Sequence, residues 1–395
     1  MITSDRPDRL LIRNFAQIAE VDLSFGDLTV LVGAQGTGKS LALQWLKLAM
    51  DGRQVMDALR DAGHRPKEAS AVIDLVFGAG MGAAWASRSE PASASNSKVT
   101  FDGKTIDPRT LGRRRSGEER VFYIPAHRSM LISDGWAAPF QRLTSDTPVV
   151  ARMFSQNLFD RFSATTTGKL FPRLGKLKKA YREKIDESIF HGGSVGIAQD
   201  AQHARRLRLT HGGSQLPFMT WTAGQREFTP LLMGLYHLLP STKILKEPEI
   251  DWVVIEEPEM GLHPRAISVV LLLILDLLWR GYRVVLSTHS PDVLTGLWML
   301  RRLSEVDVEA RWKFVCRGFG VKPSQELKRV FEAALDKRYR VHALAFGEED
   351  KVRAKDISTL DPDDDDESVS GWGGLTAFSS RFGDAVRDAM NERDR

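Results

Sequence analysis

The sequence predicts an α/β fold built on a mixed sheet, with antiparallel hairpins at the N-terminal end and an inserted helical lobe. Residues 9–24 alternate between apolar and polar side chains, as paired half-buried strands do. Short, mainly apolar runs at 28–32, 252–255 and 282–286 are typical of strands buried on both faces of a sheet. A glycine-rich turn or a polar cluster follows each run, which predicts a ligand site at the strand ends.

The glycine-rich turn after the first buried strand has the residue types and spacing of a phosphate-binding loop. Residues 33–40 match G-x-x-x-x-G-K-[ST] and precede a helical pattern that begins at Leu41. Glycines let backbone N–H groups surround phosphate oxygens, and the helix presents its positive end to the anion. Lys39 is predicted to reach the β- and γ-phosphates and Ser40 to bind Mg²⁺. The predicted nucleotide contacts in this loop are Gly33, Gln35, Gly36, Thr37, Gly38, Lys39 and Ser40.

Composition and charge are those of an ordinary globular protein. Of 395 residues, 42% are hydrophobic and 27% charged, and the formal net charge of +4 permits a nucleic-acid partner without requiring one. The single Cys316 excludes an internal disulfide and suits a reducing compartment. The N-terminus lacks a signal-peptide pattern, and the apolar run 267–279 is too short for a membrane span. We therefore expect a cytoplasmic protein with no membrane association.

The first third of the chain reads as alternating helices and strands after the phosphate loop. Residues 41–62 predict two helices broken near Gly52, and the Ala- and Ser-rich stretch 82–97 predicts a loop. Three apolar runs are interpreted as strands: Ala71–Phe77, Lys98–Phe101 and Val121–Tyr123.

The sequence pattern of residues 136–212 is typical of basic helices. The predicted helical lobe rests on this pattern. The best helical patterns are Val150–Phe162 and Leu174–Phe190. Basic groups at 113–115 and 205–208 form either solvated faces, the simpler interpretation, or contacts for nucleic-acid phosphates.

Polar residues also follow the strand that begins at Val121. Because ligands of doubly wound sheets bind at the carboxyl ends of strands, His127 and Arg128 are candidates to face the nucleotide. We predict that Arg128 contacts it; a structural ion pair is the alternative for this side chain.

The remaining motifs lie between residues 221 and 290. Thr222 precedes an apolar helical run and is predicted to cap it, while Gly224 lets the backbone approach an anion. A lone histidine is usually structural, but His289 follows a buried strand at the expected nucleotide edge. We predict that it contacts the γ-phosphate, directly or through water.

The strongest motif in this half is the apolar strand that ends in Glu256 and Glu257. Successive side chains of a strand point to opposite sides, so the two carboxylates are expected to differ in role. After a phosphate loop, such a strand supplies the acid that holds Mg²⁺. Glu256 is therefore assigned to the metal, and Glu257 to orienting or deprotonating the attacking water.

In this order, the motifs resemble ABC-type ATPases of the RecF/SMC-like kind, specifically the OLD (overcoming lysogenization defect) ATPase group. Gln35 stands where such proteins usually carry Asn, Ala223 replaces a glycine, and Glu256 replaces the commoner Asp. The resemblance covers about residues 9–300 and rests on the segments Ile12–Phe15, Gly33–Ser40, Tyr123–Arg128, Thr222–Gln225, Ile255–Pro264 and Ser287–Pro291.

The resemblance implies a phosphate-loop NTPase of the ABC-ATPase head type that uses ATP and Mg²⁺. It also implies a head-to-tail homodimer, alone or within a larger oligomer. In such a dimer the signature residues Thr222, Gly224 and Gln225 complete the ATP site of the other protomer. The same resemblance casts Glu257 as the hydrolytic glutamate, Leu262–Pro264 as the inter-site loop and His289 as the switch histidine.

The C-terminal part lacks the strand ending in Glu-Gly that begins the Toprim nuclease domain of OLD nucleases, so we expect an ATPase without a nuclease. The acidic run 361–367 reads as a solvated loop, with cation binding as the alternative. A final helix carries one apolar face, which either packs on the protein's own core, the simpler interpretation, or binds a partner. The predicted elements are a helix at Ser324–Leu335 and strands at Arg338–Phe346 and Lys351–Thr359.

These patterns predict four regions: an N-terminal ATPase lobe (1–135), a helical lobe (136–220), a C-terminal ATPase lobe (221–310) and an extension (311–395). By analogy with systems of the PARIS or Septu type, the resemblance favours an ATPase switch that controls a separate effector, a nuclease or a toxin, in prokaryotic anti-phage defence. The alternatives are a RecF/SMC-like DNA-binding repair or maintenance ATPase and, less in keeping with the motifs, the nucleotide-binding subunit of a transporter.

Overall fold

A ten-stranded mixed sheet forms the centre of the structure. The structure is a computed structural model that describes residues 8–85, 96–113, 118–165, 168–173, 175–200, 202–240 and 245–393. The strands are β1 (Arg9–Phe15), β2 (Ile18–Ser24), β3 (Leu28–Val32), β4 (Lys98–Phe101), β5 (Lys104–Thr105), β6 (Val121–Ile124), β7 (Ile132–Ser133), β8 (Trp136–Ala137), β9 (Gly168–Phe171), β10 (Ser194–Gln199), β11 (Arg205–His211), β12 (Ser214–Pro217), β13 (Trp252–Glu256), β14 (Arg283–Ser287), β15 (Tyr339–Phe346) and β16 (Val352–Asp356). The helices are α1 (Lys39–Asp61), α2 (Ala69–Phe77), α3 (Val149–Ala164), α4 (Lys179–Ile185), α5 (Ala223–Leu238), α6 (Pro264–Trp279), α7 (Pro291–Glu305), α8 (Trp312–Gly318), α9 (Gln325–Leu335), α10 (Glu367–Ser370) and α11 (Ala377–Arg393).

The strand order brings five parallel carboxyl ends to one edge of the sheet. The order is β5-β4-β1-β2-β16-β15-β3-β14-β13-β6, and neighbours from β15 to β6 are parallel. The hairpins formed by β1, β2, β4 and β5 are antiparallel, as predicted. The predicted α/β fold, a mixed sheet with antiparallel N-terminal hairpins, is therefore confirmed, and ligands of such sheets bind at this edge.

Side chains of the central strands alternate between two hydrophobic cores. Val30, Val284 and Leu286 face the core formed with α5–α7 and α9. Leu31 and Val285 face the core formed with α1 and α2. Burial on both faces explains why these strands read as continuous apolar runs.

The prediction of a strand at Ala71–Phe77 was wrong, because these residues belong to α2. The buried side chains are Val72, Ile73, Val76 and Phe77, which share one face at helical spacing. β-branched residues raised the strand propensity of this run, but packing of one helical face against α1 decided the outcome.

The lobe at 136–220 is not purely helical. Its helices α3 and α4 are accompanied by a four-stranded antiparallel sheet of order β12-β11-β10-β9. In the missed strand β11, Leu207 and Leu209 are buried on one face between arginines. Buried residues at every second position indicate a strand, but the arginines between them led to the interpretation of the segment as basic and helical. The helix predicted over Leu174–Phe190 is shorter: α4 is followed by a π-helical turn, Asp186–Phe190.

The two helices predicted over 41–62 form one element, α1, with a kink at Asp51 rather than a break at Gly52. Asp51 is buried and holds the kink by accepting hydrogen bonds from Lys47 and from the backbone N–H groups of Arg120 and Val121. A side-chain network thus compensates for the irregular turn in the helix.

The C-terminal region contributes directly to the central sheet. Strands β15 and β16, both predicted, lie between β2 and β3, and α9 was also predicted. Leu375, just before the final helix α11, packs on the core, whereas the described apolar side chains within the helix, Phe382, Val386 and Met390, are 61%, 55% and 63% exposed, contrary to the simpler interpretation.

Some predictions fall outside the described residues. These are the arginines at 114 and 115, Leu174, most of the loop 82–97 and the side chain of Phe378.

In the acidic run, Asp366 caps α10 and Asp361 lies 3.4 Å from Arg302. Within the described residues there is no helix with the length and apolar character needed to cross a membrane.

Candidate functional site

The phosphate loop lies between β3 and α1, at the edge where the parallel strands end. Gly33 is at φ +138°, and a Cβ atom there would lie 2.1 Å from the Leu344 carbonyl oxygen, so only glycine fits. Gly38 is at φ +83° and is the N-cap residue of α1. Thr37 is buried and donates to the Ala34 carbonyl at 2.8 Å, whereas Gln35 and Gly36 are exposed. The loop is therefore held as a preformed turn at the helix N-terminus, ready for an anion.

Lys39 is buried inside this loop. Its ammonium donates to the carbonyl oxygens of Gly33 and Ala34, each at 2.9 Å. Burial lowers the pKa of Lys39 to about 8, although Glu257 and Glu259 act in the opposite direction. The lysine is therefore desolvated and near the strand-end carboxylates, where a triphosphate would supply its counter-charge.

The two residues predicted to hold Mg²⁺ lie together. The Ser40 hydroxyl lies near the Glu256 carboxylate and acts to lower its pKa, against the larger effect of burial. Glu256 is buried; its Oε2 accepts from the Ala126 N–H at 3.1 Å, and its Oε1 has no hydrogen-bond partner in the described part of the chain. Burial raises the pKa of Glu256, so a cation would stabilise its ionised form. This donor set, a hydroxyl beside an unsatisfied buried carboxylate, fits Mg²⁺.

Protein side chains alone do not form a metal cage here. The described residues contain no group of three or more His, Cys, Asp or Glu side chains placed to hold a metal ion.

Glu257 and His289 face each other across the ends of β13 and β14. Glu257 Oε1 lies 3.5 Å from His289 Nε2, and both side chains are about 30% exposed. Glu257 is at φ +40°, a conformation that costs a non-glycine residue of order 1 kcal/mol and is typical of functional positions. Burial and the nearby Lys39 lower the pKa of His289, so its imidazole is neutral at pH 7.

Glu259 is a site residue to which sequence reasoning assigned no role. Its Oε1 accepts from the Thr288 hydroxyl at 2.7 Å and from the backbone N–H of His289 at 2.8 Å. It thereby joins the turn after β13 to the polar end of β14. The only sequence signal was its position two residues after Glu257, in the same acidic segment.

Arg128 is buried behind the nucleotide edge, an arrangement that favours the structural alternative, while its contact with the nucleotide stays a prediction. The side chain is fully buried, and its guanidinium donates to the backbone carbonyls of Pro125, Glu256, Glu257 and Glu227. Its Nε also lies 3.7 Å from the Glu227 carboxylate. Arg128 therefore fixes the backbone of the acidic pair to the helix α5, which matches the structural alternative.

The signature segment forms the exposed N-terminus of α5. Thr222 and Gln225 make a reciprocal capping box, which confirms the predicted cap, and Gln225 Nε2 also donates to the Ile189 carbonyl at 3.0 Å. A Cβ atom on Gly224 would lie 2.8 Å from the Gly261 carbonyl oxygen, in the loop after the acidic pair. Within the described residues, no hydrogen bond joins Thr222–Gln225 to the phosphate loop of the same chain.

The fold and the grouped motifs define an α/β protein with a phosphate loop at the carboxyl ends of its parallel strands. A family model described as "AAA domain, putative AbiEii toxin, Type IV TA system" matches residues 158–295, which omit the phosphate loop. No curated protein sequence matches the chain.

Solved structures with a similar fold include SMC heads and a transporter ATPase. The SMC head bound to the C-terminal winged-helix domain of ScpA has a TM-score of 0.41 at 12% identity, over 89% of this chain and 97% of that chain. The Thermotoga maritima SMC head domain gives 0.34 at 12%, over 89% and 98%. CbiO1 of Clostridium perfringens, part of the ABC transporter complex cbiONQ, gives 0.32 at 12%, over 73% and 80%. At such low identities and scores, the function has to be argued from the site itself.

Proposed function

We propose that the chain binds and hydrolyses Mg·ATP as a head-to-tail homodimer, and that this cycle switches a separate effector, a nuclease or a toxin, in prokaryotic anti-phage defence. The observation that carries the ATPase proposal is the grouping of Lys39, the Ser40–Glu256 pair and the Glu257–His289 pair at one edge of the sheet. Phosphoryl transfer needs mainly positioning and charge stabilisation, and this set provides both.

Each side chain has a distinct task in this proposal. Lys39 neutralises the β- and γ-phosphates, and Ser40 and Glu256 would hold Mg²⁺, which supplies further charge neutralisation when bound. Glu257 Oε1 accepts a proton from the attacking water as its oxygen bonds to the γ-phosphorus, while the bond from that phosphorus to the β–γ bridging oxygen breaks and ADP leaves with the electron pair. The neutral His289 donates an N–H toward the γ-phosphate or that water, while Glu259 fixes its backbone.

The exposure of the signature supports the proposal of a dimer. The capped N-terminus of α5 is at the surface, Thr222 and Ala223 are exposed, and this segment is not hydrogen-bonded to its own phosphate loop in the described residues. A helix N-terminus is a ready-made anion site, so the segment suits the γ-phosphate of another protomer. The description of the matching family model, which refers to a toxin of a type IV system, is compatible with a defence role.

Mixing two inactive variants tests the composite site. Lys39→Ala removes phosphate binding, and Ala223→Glu places a negative charge at the exposed signature. Each variant alone should be inactive, whereas a mixed dimer keeps one intact site, so an equimolar mixture should recover about a quarter of wild-type ATP hydrolysis. Recovery of no activity in a mixture shown to contain mixed dimers would contradict the proposal.

The effector role has a separate test. Pull-down of the tagged protein with products of neighbouring genes, with and without ATP, should recover a nuclease or a toxin in fixed stoichiometry. The alternative function, DNA binding, would use the basic residues 205–208. Two of them already contact the protein: Arg205 donates hydrogen bonds to the carbonyls of Ser163 and Phe162, and Arg206 lies 3.7 Å from Asp200. Recovery of only the homodimer with DNA would favour that alternative.

A further inference from the structure

A cavity lies at the edge of the central sheet opposite to the edge that carries the phosphate loop. It has a volume of about 510 Å³ and is lined by three arginines from two segments, Arg301 of α7 and Arg338 and Arg340 around the start of β15. Asp356, Ser358 and Thr359 complete the polar lining. We call this the arginine cavity. Since β15 and β3 are parallel, the cavity and the phosphate loop mark opposite ends of neighbouring strands.

The backbone holds the arginines in a fixed arrangement. Arg338 and Arg340 are two residues apart in an extended segment, so their side chains point to the same side. The Arg338 carbonyl accepts from the N–H groups of Asp27 and Leu28 at 2.9 and 3.2 Å. Arg301 is anchored from α7 by its hydrogen bond to the Ser358 carbonyl.

Most guanidinium donors in the arginine cavity are not used by the protein. Arg340 lies 3.3 Å from Asp356, and Arg301 Nε lies 3.4 Å from Glu305. Arg338 Nε is 4.0 Å from Asp27, and its guanidinium makes no hydrogen bond within the described residues. Each guanidinium carries five N–H groups, so these contacts leave most of them available. Asp356 is the one carboxylate in the lining, and the guanidinium of Arg338 has no hydrogen-bonded counter-ion in the described residues, so the cavity favours an anion.

We propose that the arginine cavity binds a small molecule that carries two or more phosphates, separately from the nucleotide at the phosphate loop. Guanidinium groups match phosphate geometry by bidentate hydrogen bonding. The volume exceeds that of a single phosphate and lies in the range of small-molecule sites. Asp27 and Glu305 flank the arginines, so a long polyanion such as duplex DNA would also meet carboxylates.

Binding of inorganic triphosphate to the full chain tests this proposal by calorimetry. The Lys39→Ala variant removes the phosphate-loop site and should retain one saturable site. Adding Arg338→Gln and Arg340→Gln should weaken binding by about 100-fold, because two charge-assisted contacts are lost. Arg302→Gln, on α7 but outside the lining, is the matched control and should change affinity by less than about twofold.

The side chain of Arg338 is 66% exposed, so the single variant Arg338→Gln should fold normally and still lose about tenfold in affinity. Absence of saturable binding to Lys39→Ala would overturn the proposal, as would unchanged binding in the arginine variants. Duplex DNA binding that is lost in these variants, without triphosphate binding, would overturn it in favour of a nucleic-acid contact.

Discussion

The carboxylate of Glu259 accepts a hydrogen bond of 2.8 Å from the backbone N–H of His289 and one of 2.7 Å from the Thr288 hydroxyl. These two bonds connect the turn that carries Glu257 to the end of β14. The two residues proposed to act on the γ-phosphate and water therefore keep their relative position through a third side chain. Hydrogen bonds to a charged acceptor are about twice as strong as neutral ones, so this contact is a major constraint on the site.

Replacing Glu259 should lower turnover more than nucleotide affinity. Glu259→Ala leaves the His289 N–H and the Thr288 hydroxyl without their acceptor, so we expect kcat to fall by about tenfold or more with KM changed by less than about threefold. Glu259→Gln keeps one acceptor oxygen and should lose less. Steady-state ATPase kinetics measures both values, with Glu309→Gln as a distant acidic control. An unchanged kcat in Glu259→Ala would exclude a positioning role.

ATP binding should be coupled to proton uptake by Lys39. The pKa of Lys39 is about 8 without nucleotide, and the negative charge of bound ATP would raise it. Below pH 8 the lysine is already protonated; above it, binding must supply the proton, so affinity should fall as pH rises through 8. Calorimetry near pH 8.5 in buffers of different ionisation enthalpy measures the uptake. Lys39→Arg, which stays protonated, should abolish this proton uptake.

Loss of Arg128 should destabilise the fold strongly. Arg128→Met removes the donors to the carbonyls of Glu256 and Glu257 and leaves the Glu227 carboxylate without its buried cation. We expect a loss of about 3–5 kcal/mol in the free energy of unfolding, measured by urea denaturation. Arg53→Met, which breaks a surface pair with Asp57, should cost about 1 kcal/mol or less. Equal effects of the two changes would contradict the buried role.

Deletion of the final helix should leave the ATPase intact. Phe382, Val386 and Met390 are more than half exposed, so removing residues 377–395 should change the free energy of unfolding by less than about 0.5 kcal/mol. ATP binding should be unchanged, whereas capture of an effector should be lost if α11 is the contact surface. Thermal unfolding and the pull-down assay measure the two effects. A loss of several kcal/mol would show that α11 packs on the rest of the chain.

The sequence predicted which polar residues lie together at the strand ends better than it predicted the secondary structure of the lobe. Residues 33–40, Glu256 and Glu257 belong to motifs whose chemistry demands fixed residue types, so their positions could be read directly. In β11, by contrast, Leu207 and Leu209 alternate with arginines. The high charge of this segment made the alternation of apolar and polar residues, which is typical of a strand, difficult to recognise. The burial of Arg128 and the bonds of Glu259 depend on contacts between segments more than 25 residues apart, which no local pattern contains.

The most direct test of the central claim is the native mass of Glu257→Gln with and without Mg·ATP. Loss of the proposed base should stop hydrolysis while leaving the phosphate loop and the signature unchanged, so the closed state should accumulate. We predict a nucleotide-dependent dimer, or a multiple of it, that carries two ATP molecules per dimer. A monomer that binds ATP and remains a monomer would contradict the composite site.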